Sequence, residues 1–144
     1  MVSLWLGVIG FFSFFAAPTL FATLDRESAG RLVTALLPRY YLFGIVMEGV
    51  ALGGVLGRVA LKRRREWGPL VLVLLMLALT LYSVLVLLPE AQSARQALRS
   101  APAGMLSEAA LAFGRAHRLS VALNLLTMLA GLTLVFVEGL GARR

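Results

Sequence analysis

One glutamate lies inside an otherwise apolar stretch, Phe43–Gly57, which reads FGIVMEGVALGGVLG. An ionised carboxylate such as that of Glu48 is costly in hydrocarbon, and ionisable side chains inside membrane segments commonly mark binding sites or proton pathways. A second polar series recurs at three- and four-residue spacing near the other end of the chain, and it comprises His117, Ser120, Asn124 and Thr127. At this spacing the side chains lie on one face of a helix. Glu48 and this series are therefore the candidate site residues.

The composition indicates that these residues belong to a membrane protein. Of the 144 residues 60% are hydrophobic and 15% charged, whereas a soluble domain is about half apolar and about a quarter charged. Four nearly uncharged runs each approach the roughly 20 residues that cross the hydrocarbon core as a helix, and they are Leu4–Leu24, Tyr40–Leu56, Gly68–Leu88 and Leu119–Val137. Lipid cannot satisfy backbone polar groups, so runs of this length are helices. The sequence predicts an all-α integral membrane protein, a single four-transmembrane-helix domain over residues 1–144.

The distribution of Lys and Arg predicts the orientation. Lys62–Arg65 are four consecutive basic residues in a short connection, and the chain ends in Arg143 and Arg144. The other two connections dilute their basic residues over longer segments that also contain acidic ones. Because short cytoplasmic loops are enriched in Lys and Arg, we expect both termini and Lys62–Arg65 in the cytoplasm of a multi-pass cell-membrane protein. The formal net charge of +7 then reflects topology and lipid headgroup contact, and no nucleic-acid partner is expected.

The two outer connections are predicted to be helical. Asp25 is a candidate N-cap for a short interfacial helix that Pro38 interrupts, with Tyr40 and Tyr41 following in the aromatic belt. Residues 89–118 are rich in good helix formers, so spans three and four are expected to extend beyond the membrane as a helical hairpin. Pro102 and Gly104 predict its turn.

Helix rise predicts that the polar side chains share one layer. If the outer boundary lies near Tyr40 and His117, Glu48 lies about 12 Å and Asn124 about 10 Å below it. The same rise places Ser13 and Thr80 at a similar depth. We therefore expect Glu48 to face the bundle interior within hydrogen-bonding distance of Asn124. We also expect it to carry a proton for much of the time at neutral pH, since no basic residue in span two lies close to it.

Two interpretations of this layer stay open. In the first, Glu48 and Asn124 form a binding site, with Tyr41, Ser120 and His117 at its outer mouth. In the second, they form a structural clasp between helices. Beside them, Gly49, Gly53 and Gly57 follow small-xxx-small spacing, which predicts close packing against another helix.

The sequence leaves the cofactor and any enzymatic activity open. With no cysteine and one histidine, the chain has few of the usual ligands of a zinc site. A bis-histidine haem within one chain is excluded. A metal-ion site would use Glu48, His117, Met47 and Met128. A haem held by one histidine and one methionine, or by two histidines paired across a dimer, is a weaker alternative. The chain contains no G-x-S-x-G, P-loop or H-E-x-x-H motif.

Three segments resemble the transmembrane-protein-205-like family, and they read AAPTLFATLDRESAGRL, PRYY and FGRAHRLSVALN. The resemblance covers the chain from about Gly7 to Leu132 and implies a four-helix integral membrane protein. Bacterial members of that family are described by a domain of unknown function. Some eukaryotic relatives are associated with resistance to platinum compounds, and the copper-resistance D membrane proteins are distantly similar. Both links imply soft metal ions.

The sequence therefore predicts a small membrane protein that transports or binds a metal ion or a small solute through an intramembrane polar site. The alternative is a non-transporting structural or assembly subunit of a larger membrane complex, and a haem-binding or redox membrane protein is a weaker one. The expected partners are the lipid bilayer and either further copies of the chain or a larger complex.

Overall fold

The computed structural model describes residues 1–61, 67–100 and 106–141. They form four long helices: α1 (Val2–Thr23), α2 (Arg26–Ala60), α3 (Trp67–Ser100) and α4 (Leu106–Gly141). The described part of the chain contains no strand, and each helix is long and apolar enough to cross a membrane. The predicted all-α, four-span membrane architecture is confirmed. Three sequence features lie outside the described residues, namely Lys62–Arg65, the turn at Pro102 and Gly104, and the terminal Arg143 and Arg144.

The helices form a closed antiparallel ring, since α1 packs on α2, α2 on α3, α3 on α4 and α4 on α1. We call the end with the α1–α2 connection the outer end and the end with Met1 the inner end, after the predicted orientation. The C-terminal part of α3 packs along α4 at the outer end, as the predicted hairpin requires. Exposed apolar side chains cover all four helices, as expected for a surface that meets lipid.

Two prolines explain two local changes in helix winding. In α1, Phe12–Ala16 form a π-helical turn in which the N–H of Ala17 donates to the carbonyl of Phe12, just before Pro18. In α3, Ser83–Leu87 form the same turn before Pro89. Proline lacks an N–H and its ring crowds the carbonyl four residues earlier, and a π turn relieves that conflict without ending the helix.

The start of α2 confirms one prediction and corrects another. The carboxylate of Asp25 accepts hydrogen bonds from the backbone N–H groups of Glu27 (3.0 Å) and Ser28 (2.9 Å), as an N-cap does. Hydrogen bonds from Ser28, the hydroxyl first, hold the pKa of Asp25 below its usual value. The prediction of a separate interfacial helix was wrong, because α2 continues through Pro38. Tyr40 and Tyr41, two and three residues after Pro38, are buried within the bundle, so neither belongs to an exposed aromatic belt.

Arg95 links the outer extension of α3 to the start of α2 through hydrogen bonds. The guanidinium of Arg95 donates to the carbonyls of Gly30 and Glu27 and to the hydroxyl of Thr34. Arg99 adds an ion pair with Glu27 at 3.2 Å. A Cβ at position 30 would overlap the Arg95 guanidinium, so the glycine is required for this contact.

The close packing predicted for Gly49, Gly53 and Gly57 is not seen among the described residues. A Cβ at any of the three would meet no atom of the described residues within 4 Å. The close contacts use other glycines. A Cβ at Gly44 would overlap the Trp5 ring, and one at Gly131 would lie 2.7 Å from Leu6 Cδ2. Lipid is as apolar as a helix surface, so small-residue spacing alone does not tell which face turns inward.

Candidate functional site

Glu48 lies at a junction of three helices. It is 1% exposed, and its Oε1 accepts a hydrogen bond from Trp5 Nε1–H of α1 at 2.9 Å. The same oxygen accepts a second bond from the hydroxyl of Thr80 of α3, also at 2.9 Å. The expectation that Glu48 faces the bundle interior is confirmed, and the bond to Thr80 agrees with the similar depth expected for these two residues. We call Trp5, Glu48 and Thr80 the inner cluster.

The second carboxyl oxygen of Glu48 is different. Among the described residues, Oε2 is a buried side-chain atom without a hydrogen-bond partner. Leaving a buried polar atom unpaired costs about 1–3 kcal/mol, and more when it is charged. A carboxyl used only as a helix clasp gains from having both oxygens paired. The arrangement therefore leaves one oxygen available for a proton or a cation.

Aromatic side chains surround the inner cluster on its outer side. The ring of Trp5 lies 4.8 Å from that of Tyr40 and 6.2 Å from that of Phe43, between centroids. Tyr40 also contacts Phe12 at 5.0 Å. These rings pack on the outer side of the inner cluster, and no basic side chain of the described residues forms an ion pair with Glu48.

Asn124 belongs to a separate outer cluster. The hydroxyl of Tyr40 donates to Asn124 Oδ1 at 2.7 Å, and Asn124 Nδ2–H donates to the Ser13 hydroxyl at 3.0 Å. The predicted Glu48–Asn124 hydrogen bond was wrong. Tyr40 precedes Glu48 by eight residues in α2, which is about 12 Å along the helix axis, so Asn124 lies nearer the outer end than Glu48. With both its amide oxygen and its amide nitrogen paired, Asn124 acts here as a helix clasp.

The other predicted site residues are spread along the outer half of α4 and the core. The hydroxyls of Tyr41 and Ser120 lie 3.4 Å apart. His117 is exposed and its ring stacks on Phe113 at 6.2 Å. Met47 and Met128 pack against the hydrophobic core. His117 is a further seven residues, about 10 Å, outward of Asn124, so the structure does not bring it together with Glu48. The described residues contain no group of three or more His, Cys, Asp or Glu side chains placed to hold a metal ion.

A cavity of about 370 Å³ opens at the inner end of the bundle. All four helices contribute to its walls, which include Val2, Ala51, Val55, Val73 and Leu134. Arg58 and Glu138 lie at its rim and form an ion pair at 2.5 Å. We call this space the inner cavity. Sequence reasoning missed both the cavity and Trp5, although a tryptophan in an apolar span carries an N–H that requires an acceptor.

A family model places the chain among known sequences. The model described as a domain of unknown function, DUF4149, matches residues 1–100. The chain belongs to the DUF4149 family. The matched segment contains Trp5, Glu48, Thr80 and Arg95, whereas Asn124 and His117 lie beyond it.

One relative of this DUF4149 protein is an uncharacterized protein of Aquifex aeolicus. The two are 43% identical over 77 residues, which is 54% of this chain and 57% of the relative. The match thus spans little more than half of the relative's length. No solved structure matches the chain.

Proposed function

We propose that this protein is a membrane transport or binding protein whose Glu48 carboxyl takes up a proton or a small cation. The observation that supports this most strongly is Oε2, a buried oxygen without a partner among the described residues, beside an Oε1 held by two donors. Trp5 and Thr80 fix the orientation of the carboxyl and leave its second oxygen open. Such an arrangement suits a group that exchanges its occupant.

The chemistry of the site favours hard or organic cations. Glu48 and Thr80 offer oxygen atoms, which suit protons, alkali and alkaline-earth ions, and no sulfur ligand belongs to the inner cluster. The resemblance to soft-metal resistance proteins suggests another cargo, for which the described core offers the sulfur atoms of Met47, Met76 and Met128. We favour the first class because the unpartnered atom is an oxygen.

The test is modification of purified protein in detergent by dicyclohexylcarbodiimide, an apolar reagent that reacts with protonated carboxyls. We expect Glu48 to be the main modified residue by peptide mass spectrometry, and raised pH or an added cation to slow its modification at least tenfold. Glu48→Gln removes the signal, and Glu90→Gln, at an exposed acidic residue in the outer part of α3, serves as the matched control. Modification of Glu48 at a rate independent of pH and of every cation tried contradicts the proposal.

The orientation remains part of the proposal, with both termini in the cytoplasm. The chain has no cysteine, so single cysteines report location without a background. Ala60→Cys at the end of α2 and Ala97→Cys in the outer extension of α3 are both exposed. In intact cells we expect an impermeant maleimide to label Ala97→Cys and to label Ala60→Cys only after lysis. Labelling of both from outside refutes the four-span orientation.

The exposed glycine face supports a second candidate, a subunit of a larger membrane assembly. Gly49, Gly53 and Gly57 leave an open strip on α2, and such strips allow close helix approach. Under this alternative Gly53→Leu prevents assembly while the monomer stays folded. Native mass of the purified protein measures this directly.

A further inference from the structure

The inner cavity continues the helix faces that carry the inner cluster. Ala51 and Val55 follow Glu48 by three and seven residues, and Val2 precedes Trp5 by three. Val73 precedes Thr80 by seven. Residues three or seven apart share a helix face, so the cavity lies along the helix faces that carry the cluster, with Thr80 the most distant at about 10.5 Å from Val73. For Glu48 and Trp5 the offset is about 4.5 Å along the helix.

A buried methionine lies along α3 between a cavity-lining residue and the inner cluster. Met76 lies on the same face of α3 as Val73 and Thr80, between them, and is fully buried. Its Cε lies 3.1 Å from the position that a Cβ of Gly131 would occupy, so the glycine makes room for it. Methionine is unbranched and changes rotamer at little cost. Met76 is therefore the most adaptable of the buried side chains along α3 between the cavity and the inner cluster.

The size and lining of the cavity indicate the class of its ligand. At about 370 Å³ it falls in the range of small-molecule pockets, roughly 300–1,000 Å³, and is far larger than a bare metal ion needs. Its inner walls include the apolar side chains of Val55, Val73 and Leu134, and its rim carries the ion pair of Arg58 and Glu138. Beyond its end lies a carboxyl with one free oxygen. Apolar walls on the inner side of an acidic group fit a ligand with an apolar body and a positive charge.

We propose that the inner cavity is the entry site for a small apolar organic cation, such as an aryl-substituted ammonium ion, whose charge reaches Glu48 when Met76 turns aside. The proposal rests on the proposed function of Glu48 and specifies its substrate class and its side of entry. The rings of Trp5, Tyr40 and Phe12 and the Asn124 clasp close the outer side, so entry is from the inner end.

The experiment uses two probes of nearly the same shape, benzyltrimethylammonium and its neutral isostere neopentylbenzene. With full-length protein in detergent, we expect benzyltrimethylammonium to protect Glu48 from dicyclohexylcarbodiimide at least tenfold, and neopentylbenzene to protect less than twofold. Equal protection by both probes overturns the proposal, because charge would then play no part. Protection by Na⁺ or Mg²⁺ without protection by benzyltrimethylammonium also overturns it, although the proposed function would stand.

Two adjacent glycines provide matched variants. A Cβ at Gly53 or at Gly54 meets no described atom within 4 Å, yet only Gly54 lines the cavity. We expect Gly54→Leu to fill the cavity and lower the potency of benzyltrimethylammonium at least tenfold, while Gly53→Leu changes it less than twofold. Each variant's rate of carbodiimide modification without probe serves as its own reference, and a thermal unfolding midpoint within a few degrees of the parent shows that the bundle is intact. Unchanged potency in Gly54→Leu, or an equal loss in both variants, places the probe elsewhere and contradicts the proposal.

Discussion

Gly44→Leu is expected to destabilise the bundle strongly, whereas Gly53→Leu in the same helix leaves the monomer's stability almost unchanged. A Cβ at Gly44 would already overlap the ring of Trp5, and leucine adds three more carbon atoms. The ring cannot retreat freely, because it is 1% exposed, contacts Tyr40 and donates to Glu48. Overpacking of this kind costs typically about 1–3 kcal/mol and occasionally more.

Thermal unfolding in detergent measures this pair. We expect the midpoint for Gly44→Leu to fall by many degrees, or the variant to fail to purify as a single species, and that for Gly53→Leu to stay within a few degrees of the parent. Gly44→Ala is the milder form and should lie between them. A parent-like midpoint for Gly44→Leu would show that α1 and α2 do not meet at Trp5. A large fall for Gly53→Leu alone would show that the exposed glycine face is covered in the assembled protein.

Glu48→Leu is expected to destabilise the protein through the partners it leaves behind. The Trp5 Nε1–H loses its acceptor, and an unpaired buried donor costs about 1–3 kcal/mol. Thr80 loses less, since a threonine hydroxyl in a helix can turn to the carbonyl four residues earlier. Glu48→Gln retains an oxygen that accepts from both donors, so it should keep the fold while removing the ionisable group.

Removing the Trp5 N–H tests whether its loss of an acceptor causes the destabilisation expected for Glu48→Leu. Trp5→Phe alone should lower the unfolding midpoint, since the smaller ring leaves space. In the Glu48→Leu background Trp5→Phe should cost measurably less than in the parent, because no N–H is left unpaired. Additive effects of the two substitutions would show that Trp5 and Glu48 are not coupled. A Glu48→Leu variant as stable as Glu48→Gln would show that the hydrogen bonds to Oε1 contribute little.

The sequence determined the number and type of the elements, because a helix in lipid is specified by local composition. Long runs such as Gly68–Leu88 satisfy the backbone internally whatever surrounds them, and Asp25 satisfies the first N–H groups of α2 by itself. An isolated carboxyl in an apolar run likewise turns inward, because exposure to lipid costs more than burial among polar partners. The interior position of Glu48 therefore followed from sequence.

The partners of Glu48 were decided only by the tertiary structure. Helix rise gives depth only relative to an assumed boundary. The assumed boundary at Tyr40 and His117 placed Asn124 level with Glu48. In the structure Asn124 bonds instead to Tyr40, which precedes Glu48 by eight residues. The spacing of Gly49, Gly53 and Gly57 predicted a contact that Gly44 and Gly131 make instead. In water, hydrophobicity distinguishes the buried face of a helix from the exposed one. In lipid both faces are apolar, so the lateral pairing of helices depends on side-chain shapes that meet only when the bundle is assembled.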